Sequence, residues 1–280
     1  LNLVGLIEHR FSWWECCLLV RYRQVTGQRC PAVRHNGPGH VTKLAHPLLE
    51  AVNNTPIRSQ PAMPKTVLTI SSKNYGAWSL RGWLMARLAG LEFEEHIISP
   101  DDPSMKAEIL LLSSSMLVPS LYHKGIKVWD TLAIGEYLHE IKPKAGLLPA
   151  DIKARAHCRA VCGEMHSGFA SMRGSLPMNI KARFQNFKVW SRAQGDIDRV
   201  LEIWDECLST YGGPFLFGDH PTLADAMYAP VVTRFVTYGI PLNAACAAYR
   251  DHIMALPAMK EWVAAAQTEP EEIDELEAEF

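Results

Sequence analysis

A change of pattern near residue 142 constrains the fold most strongly. Over residues 64–142, short β-branched segments alternate with helical patterns in the order βαβαββα. A stretch with Pro143, Gly146 and Pro149 follows, and after it every regular pattern is helical. We therefore predict a small α/β domain at 64–142 and an all-helical domain at 151–267.

Local signals place the elements of the first half. Gly90 follows the predicted first helix as a C′ residue, and the Lys124-Gly125 pair is typical of a hairpin turn. Asp101 or Asp102 is expected to cap a short helix that begins at Pro103. The predicted strands are 66–71, 93–98, 118–123 and 126–129, and the longer helices are 78–89 and 131–141.

The second half is predicted to contain five helices, at 153–172, 181–211, 222–238, 245–255 and 257–266. Thr222 and Asp225 have the spacing of a capping box at the start of the third, which is a structural role. The segment 268–280 is interpreted as a solvated acidic tail, since Glu269–Phe280 has seven acidic and no basic residues.

The first 62 residues differ from the rest in charge and pattern. They carry seven Lys or Arg and three acids, so a chain of net charge −2 has −6 over the remainder. They begin with Leu1, lack a coherent period and are rich in Pro and Gly from residue 27. Our hypothesis is that 1–62 is a disordered arm or a spurious extension, with the functional protein starting at Met63.

Composition excludes several classes of protein. The chain is 48% hydrophobic and 21% charged, which is globular composition, and its net charge gives no indication of nucleic-acid binding. The apolar run at 16–20 is too short for a membrane span. Seven irregularly spaced cysteines without a CxxC favour reduced thiols in the cytoplasm. His157 and His166 are nine residues apart, so no metal site is expected.

Three segments in this order resemble the cytosolic glutathione transferases: MetLeuValProSerLeu at 116–121, TrpAspThrLeuAlaIleGlyGluTyrLeu at 129–138 and ThrLeuAlaAsp at 222–225. The resemblance extends from 64 to about 267. The segment LysAsnTyrGlyAlaTrpSerLeuArg at 73–81 resembles the corresponding segment in a bacterial branch of the family with eta-like and zeta-like features. The resemblance implies a thioredoxin-like first domain, an all-helical second domain, glutathione as co-substrate and a homodimer.

The resemblance also implies a place for each end of glutathione. A cis peptide bond at Val118-Pro119 would let Val118 pair with the extended tripeptide as an added strand. A plain trans edge-strand proline is the alternative. Thr131 begins a helix whose unpaired N–H groups suit the glutamyl carboxylate, and Asp130 would accept from the α-ammonium group. Alternatively, Asp130 or Thr131 is only an ordinary N-cap.

The group that activates the glutathione thiol is expected in the loop after the first strand. A donor aimed at sulfur favours the thiolate and lowers the pKa of the thiol. We assign this role to Tyr75 and Ser79, with Asn74 behind them. The alternatives are that Ser79 is only a first-turn helix residue and that Tyr75 only lines the wall of the site. Gly76 occupies the position of the beta-like cysteine, which disfavours thiol exchange.

Arg234 lies on the apolar 222–238 segment. It either reaches the cleft between the domains or forms an ion pair with an acid such as Asp225. The leading functional hypothesis is a glutathione S-transferase that conjugates the thiolate to small electrophiles. The alternatives are a glutathione-dependent cis-trans isomerase and a glutathione-binding protein with little turnover, which the absence of loop hydroxyls at Gly76 and Ala77 favours.

Overall fold

The first half of the chain forms a four-stranded sheet with strand order β2-β1-β3-β4. We analysed a computed structural model, which describes residues 66–98, 118–184 and 186–270. The strands are β1 (Thr66–Ile70), β2 (Glu94–Ile97), β3 (Ser120–His123) and β4 (Ile126–Trp129). β1 pairs parallel with β2 and antiparallel with β3, which pairs antiparallel with β4. The short helix expected to begin at Pro103, and the hypothesis on 1–62, lie outside the described residues.

Two helices pack beside this sheet, α1 (Ala77–Leu88) and α2 (Thr131–Ile141). Eight residues of α1 are buried, which gives this helix a largely enclosed environment between the sheet and the helical domain. Gly82 of α1 lies against Pro119: an added Cβ would come within 2.6 Å of the proline ring. The Val118-Pro119 peptide bond is cis, as the family resemblance implied. Gly90 follows α1 with φ of 63°, as predicted for its C′ residue.

The second half is helical, and α6 lies at its centre. The helices are α3 (Ile152–Ser167), α4 (Ala170–Ser175), α5 (Ser191–Tyr211), α6 (Leu223–Thr237), α7 (Ala244–Ala255) and α8 (Pro257–Thr268). Fourteen residues of α6 are buried, and α6 contacts α1, α3 and α7. The capping box of Thr222 and Asp225 is present, which confirms the prediction. The sheet domain followed by a helical domain confirms the predicted fold class.

Two long helices expected from the sequence are shorter in the structure. The prediction of one helix at 153–172 is wrong because α3 ends at Ser167. Phe169 then adopts a left-handed conformation, with φ of 59°, before α4 begins. The prediction that a helix starts at Lys181 is also wrong: α5 starts at Ser191.

Tertiary hydrogen bonds explain the missing first part of that second helix. The backbone N–H of Lys181 donates to Asn74 Oδ1 at 3.0 Å, and that of Phe184 donates to the Thr237 carbonyl at 2.8 Å. These donors would otherwise be available to a local helix. The aromatic side chains that produced the helical pattern instead pack together, with the Phe184 and Tyr238 rings stacked at 5.1 Å.

The acidic segment also begins differently from the prediction. Helix α8 continues to Thr268, and Glu269 is half-buried against the β1–α1 loop instead of belonging to a solvated tail. Residues 271–280 lie outside the described part. Among the described residues, no helix is both long and apolar enough to cross a membrane.

Candidate active site

The strand register brings three predicted site segments to one end of the sheet. Thr69 pairs with Ser120, and Ser120 pairs with Trp129. The end of β1, the start of β3 and the end of β4 are therefore neighbours. The β1–α1 loop (71–76), the Val118-Pro119 pair and the Asp130-Thr131 pair follow or precede these positions directly, so they gather at the same edge.

Asp130 and Thr131 form the start of α2. The Asp130 Oδ1 atom accepts from the N–H groups of Leu132 at 2.8 Å and Ala133 at 3.2 Å, so this residue is an N-cap. Its other oxygen, Oδ2, lies 3.0 Å from His166 Nε2. Asp130 therefore has one oxygen within the helix cap and one directed toward His166 of the helical domain.

His166 of α3 lies beside the start of α2, whereas the sequence analysis considered it only as a metal ligand. Its Nδ1 lies 3.5 Å from the Thr131 hydroxyl, while Nε2 faces Asp130. The ring also meets Trp78 of α1 edge-on, with centroids 5.2 Å apart. Among the described residues, no group of three or more His, Cys, Asp or Glu side chains could hold a metal ion. A polar cluster from both domains thus surrounds the α2 N-terminus.

The three residues predicted to act on the thiol are placed differently: Asn74 and Tyr75 lie in the β1–α1 loop, and Ser79 lies in the first turn of α1. Ser79 is fully buried, and its Oγ accepts from Ser71 N at 2.9 Å and lies 3.0 Å from Ser71 Oγ. Ser79 thus holds the loop against α1. Tyr75 is half-buried and keeps exposed surface at this end of the sheet.

Asn74 is fully buried and ties the loop to the helical domain. Its carbonyl accepts from Ile180 N at 3.4 Å, and its Oδ1 accepts from Lys181 N. Within the described chain, Nδ2 of Asn74 has no hydrogen-bond partner. Asn74 is therefore buried beneath the loop surface and contributes to the position of the loop.

Arg234 is buried and binds backbone carbonyls. Its Nε donates to Leu176 O at 2.7 Å and its Nη1 to Pro230 O at 3.1 Å. Burial lowers the pKa of Arg234 to about 10. The predicted alternative of an ion pair with Asp225 is wrong, because the Asp225 carboxylate accepts from Leu216 and Thr222. With only 4% of its surface exposed, Arg234 links α6 to the segment after α4 and does not line an open cleft.

Arg81 of α1 is a second buried cation that the sequence did not single out. Its Nε donates to Met227 O of α6 at 2.8 Å, and its guanidinium lies 4.4 Å from the centre of the Trp78 ring. The guanidinium of Arg173 lies over the same ring at 5.5 Å. Burial lowers the pKa of Arg81 well below its ordinary value. Trp78 of the sheet domain therefore contacts His166 and Arg173 of the helical domain as well as Arg81 of its own helix.

Comparisons with known proteins agree with this arrangement. Residues 75–141 match the family model described as "Glutathione S-transferase, N-terminal domain", and residues 187–265 match "Glutathione S-transferase, C-terminal domain". The two matches cover both domains in the predicted order. The chain belongs to the cytosolic glutathione S-transferase family, which confirms the resemblance seen in the sequence.

Individual relatives come from two groups within this family. Maleylacetoacetate isomerase of Rattus norvegicus is 27% identical over 182 residues, 64% of this chain and 82% of the relative. Glutathione S-transferase 1 of Dianthus caryophyllus is 28% identical over 163 residues, 58% of this chain and 73% of the relative. A solved maleylacetoacetate isomerase from Anaeromyxobacter dehalogenans, with glutathione bound in its active site, is 25% identical with a TM-score of 0.51. That match covers 74% of this chain and 98% of the other.

Proposed function

We propose that the end of the sheet binds glutathione and presents its thiolate to a small electrophile. The observation that carries the proposal is the convergence of the β1–α1 loop, Val118-Pro119 and Asp130-Thr131 through the pairing of Thr69, Ser120 and Trp129. An extended tripeptide would pair with Val118 as an added strand. Its two ends would then extend toward the α2 N-terminus and along the sheet edge.

The α2 N-terminus suits the γ-glutamyl end of glutathione in this proposal. The helix dipole favours a carboxylate near Thr131, whose N–H and hydroxyl groups would donate to it, while the N–H groups of Leu132 and Ala133 donate to Asp130. The Asp130 oxygen that faces His166 would accept from the α-ammonium group, and His166 contacts both Asp130 and Thr131. The site therefore offers both signs of charge to a zwitterionic end group.

Tyr75 is the proposed thiol-activating residue. A hydroxyl that donates to sulfur stabilises the thiolate more than the thiol, so it lowers the pKa of the thiol. The thiol proton goes to solvent, and the sulfur lone pair forms a C–S bond as the electrophile loses its leaving group or gains a proton. Ser79 and Asn74 hold the loop in this account, since both side chains are buried.

A Tyr75→Phe variant tests this assignment against a Tyr211→Phe control. Tyr211 lies in the helical domain, where its hydroxyl is 2.9 Å from His157 Nδ1. We expect Y75F to lower turnover of chlorodinitrobenzene by about 100-fold, the usual effect of losing one charge-stabilising donor. It should also raise the pKa of bound glutathione, read from thiolate absorbance. Equal turnover and equal thiol pKa in Y75F and Y211F would refute the role of Tyr75.

A second candidate is glutathione-dependent cis-trans isomerisation. It is favoured by the curated relatives, several of which are maleylacetoacetate isomerases. The thiolate would add to the double bond, the resulting single bond would rotate, and elimination would restore the double bond and the thiolate. Conversion of maleylacetoacetate to its trans isomer, measured beside conjugation of chlorodinitrobenzene, distinguishes the two reactions. Retention on immobilised glutathione with neither reaction would indicate a binding protein.

The proposal includes a cytoplasmic homodimer without a metal cofactor. The four described cysteines, Cys158, Cys162, Cys207 and Cys246, are free and buried, which accords with a reducing compartment. The homodimer rests on the family membership. Analytical ultracentrifugation of the full chain tests it, with a mass of twice 31.3 kDa as the expected result.

A further inference from the structure

The side-chain carboxylate of Glu269 accepts hydrogen bonds from the β1–α1 loop. Glu269, the residue after α8, accepts from Lys73 N at 2.5 Å through Oε1. Its Oε2 accepts from Ser72 Oγ at 2.7 Å and from Asn74 N at 2.9 Å. Three donors from consecutive residues of the loop therefore converge on one side chain that lies about 195 positions away in the sequence.

The contact with Glu269 also determines what the Ser72 hydroxyl can do. A serine hydroxyl has one hydrogen to donate and two lone pairs. Ser72 donates its hydrogen to Glu269, and its oxygen accepts from Asn74 N at 3.0 Å and Tyr75 N at 3.1 Å. All three capacities are used, so the carboxylate orients the hydroxyl that in turn holds the backbone of Asn74 and Tyr75.

Other contacts fix Glu269 and α8 in place around the loop. Trp262 of α8 is fully buried, and its indole N–H donates to Lys73 O at 2.9 Å. The backbone carbonyl of Glu269 accepts from Lys181 Nζ, and the N–H of Lys181 donates to Asn74. The loop is thus held between α8 and the segment that follows α4, and the Glu269 carboxylate is the charged acceptor for the N–H groups of Lys73 and Asn74.

We propose that Glu269 is a positioning residue for thiol activation. It sets the conformation of the β1–α1 loop through Ser72, Lys73 and Asn74, and this conformation determines the position of Tyr75. The inference rests on the proposed function for its catalytic consequence. Glu269 does not touch glutathione in this account. It acts through the loop, because Tyr75 receives its backbone position from Ser72.

The test compares Glu269→Gln with Glu261→Gln in the full chain. A glutamine can accept from Lys73 through its oxygen, but the NH2 group that replaces Oε2 is a donor and can accept from neither Ser72 nor Asn74. Glu261 is a matched control, since it lies on α8, is exposed and contacts Arg87 instead of the loop. Small displacements of a catalytic group reduce rates by up to about 100-fold, so we expect E269Q to lower kcat for chlorodinitrobenzene at least about tenfold.

Further readouts separate positioning from a general loss of stability. We expect E269Q to raise the apparent pKa in the kcat–pH profile while its KM for glutathione stays close to that of E261Q. Amide exchange over 72–75 should be faster in E269Q at equal thermal stability. If kcat, its pH profile and exchange in this loop are the same in both variants, the inference is wrong.

The same experiment distinguishes this inference from the proposed function. If the unmodified chain neither binds glutathione nor conjugates chlorodinitrobenzene, the proposed function fails. Exchange over 72–75 would still show whether Glu269 orders the loop. If Y75F loses turnover but E269Q does not, the proposed function stands and the positioning role of Glu269 is refuted.

Discussion

Two helix N-termini, one in each half of the molecule, carry an acid and a threonine but differ in environment. At α6, Asp225 is fully buried, and its carboxylate accepts from Leu216 N, Thr222 N and Thr222 Oγ1. At α2, one oxygen of Asp130 caps the helix, and the other faces His166 at a half-buried position. An N-terminus whose acid is enclosed and fully hydrogen-bonded serves the fold, whereas one with an outward oxygen can serve a ligand.

The comparison predicts the largest effect at α6. Replacing Asp225 with Ala leaves three donors without their acceptor, and a buried donor without a partner costs about 1–3 kcal/mol. We expect D225A to lower the free energy of unfolding by about 3 kcal/mol, measured by urea denaturation. Asp151 caps α3 at an exposed position, so D151A should lower the free energy of unfolding clearly less than D225A does. Equal losses of unfolding free energy in D225A and D151A would show that burial does not distinguish the two helix caps.

Gly82 and Gly163 allow a second comparison, between close packing at the end of the sheet and open space in the helical half. A Cβ on Gly82 would lie 2.6 Å from the Pro119 ring, whereas a Cβ on Gly163 of α3 meets nothing within 4 Å. We expect G82A to destabilise the chain by about 1–3 kcal/mol through overpacking, and G163A to stabilise it by about 0.5–1 kcal/mol.

Thermal unfolding of the two variants measures this difference. The expected result is a lower melting temperature for G82A and a higher one for G163A. Because α1 would move away from Pro119, G82A should also weaken retention on immobilised glutathione. A G82A variant as stable as G163A would show that α1 does not pack closely against the start of β3.

Mutation of the acid at the α2 N-terminus should change glutathione affinity and leave stability nearly unchanged, the opposite of the result expected at α6. An Asp130→Asn variant keeps an oxygen for the cap and tolerates the positive φ of 74° at this position, but it loses the negative charge. We expect the Kd for glutathione to rise about tenfold, which corresponds to about 1.4 kcal/mol, with stability within about 0.5 kcal/mol of the unmodified chain. Calorimetric titration checks the affinity. Unchanged affinity in D130N, with D151N as control, would make Asp130 a cap only.

The cysteines of the helical half should show the smallest effect. Burial raises the pKa of Cys207 to about 12, and burial with nearby Asp205 raises that of Cys246 to about 12. The reactive form is the thiolate, so these thiols should remain unmodified by iodoacetamide at pH 8 while the chain is folded. Peptide mass spectrometry after alkylation in buffer and in urea measures this. Rapid alkylation of Cys207 in the folded chain would contradict its burial.

Local signals in the sequence were sufficient for the first domain and for the site segments on it. The strands ended within two residues of their predicted bounds, α2 ran from Thr131 to Ile141 as expected, and Val118-Pro119 is cis. These features depend on short motifs and turn residues, which act over a few positions. The roles of Tyr75, Asp130 and Thr131 remain predictions until they are tested.

The contributions of the helical half could not be found in this way. Glu269 lies in a run of acids that is typical of a solvated tail, and His166 has no neighbour in sequence that marks it as a site residue. Lys181 lies in a segment with helical periodicity, yet its N–H bonds to Asn74. Each of these roles depends on a contact with a residue distant in the chain, and a single sequence contains no local signal for such a contact.

A crystal structure of the full chain with glutathione tests the central claim most directly. The account predicts a glutathione backbone that pairs with Val118, a γ-glutamyl carboxylate at the N–H and hydroxyl groups of Thr131, and a sulfur atom within hydrogen-bond distance of the Tyr75 hydroxyl. Glutathione bound at another surface, or a sulfur directed away from the β1–α1 loop, would contradict it.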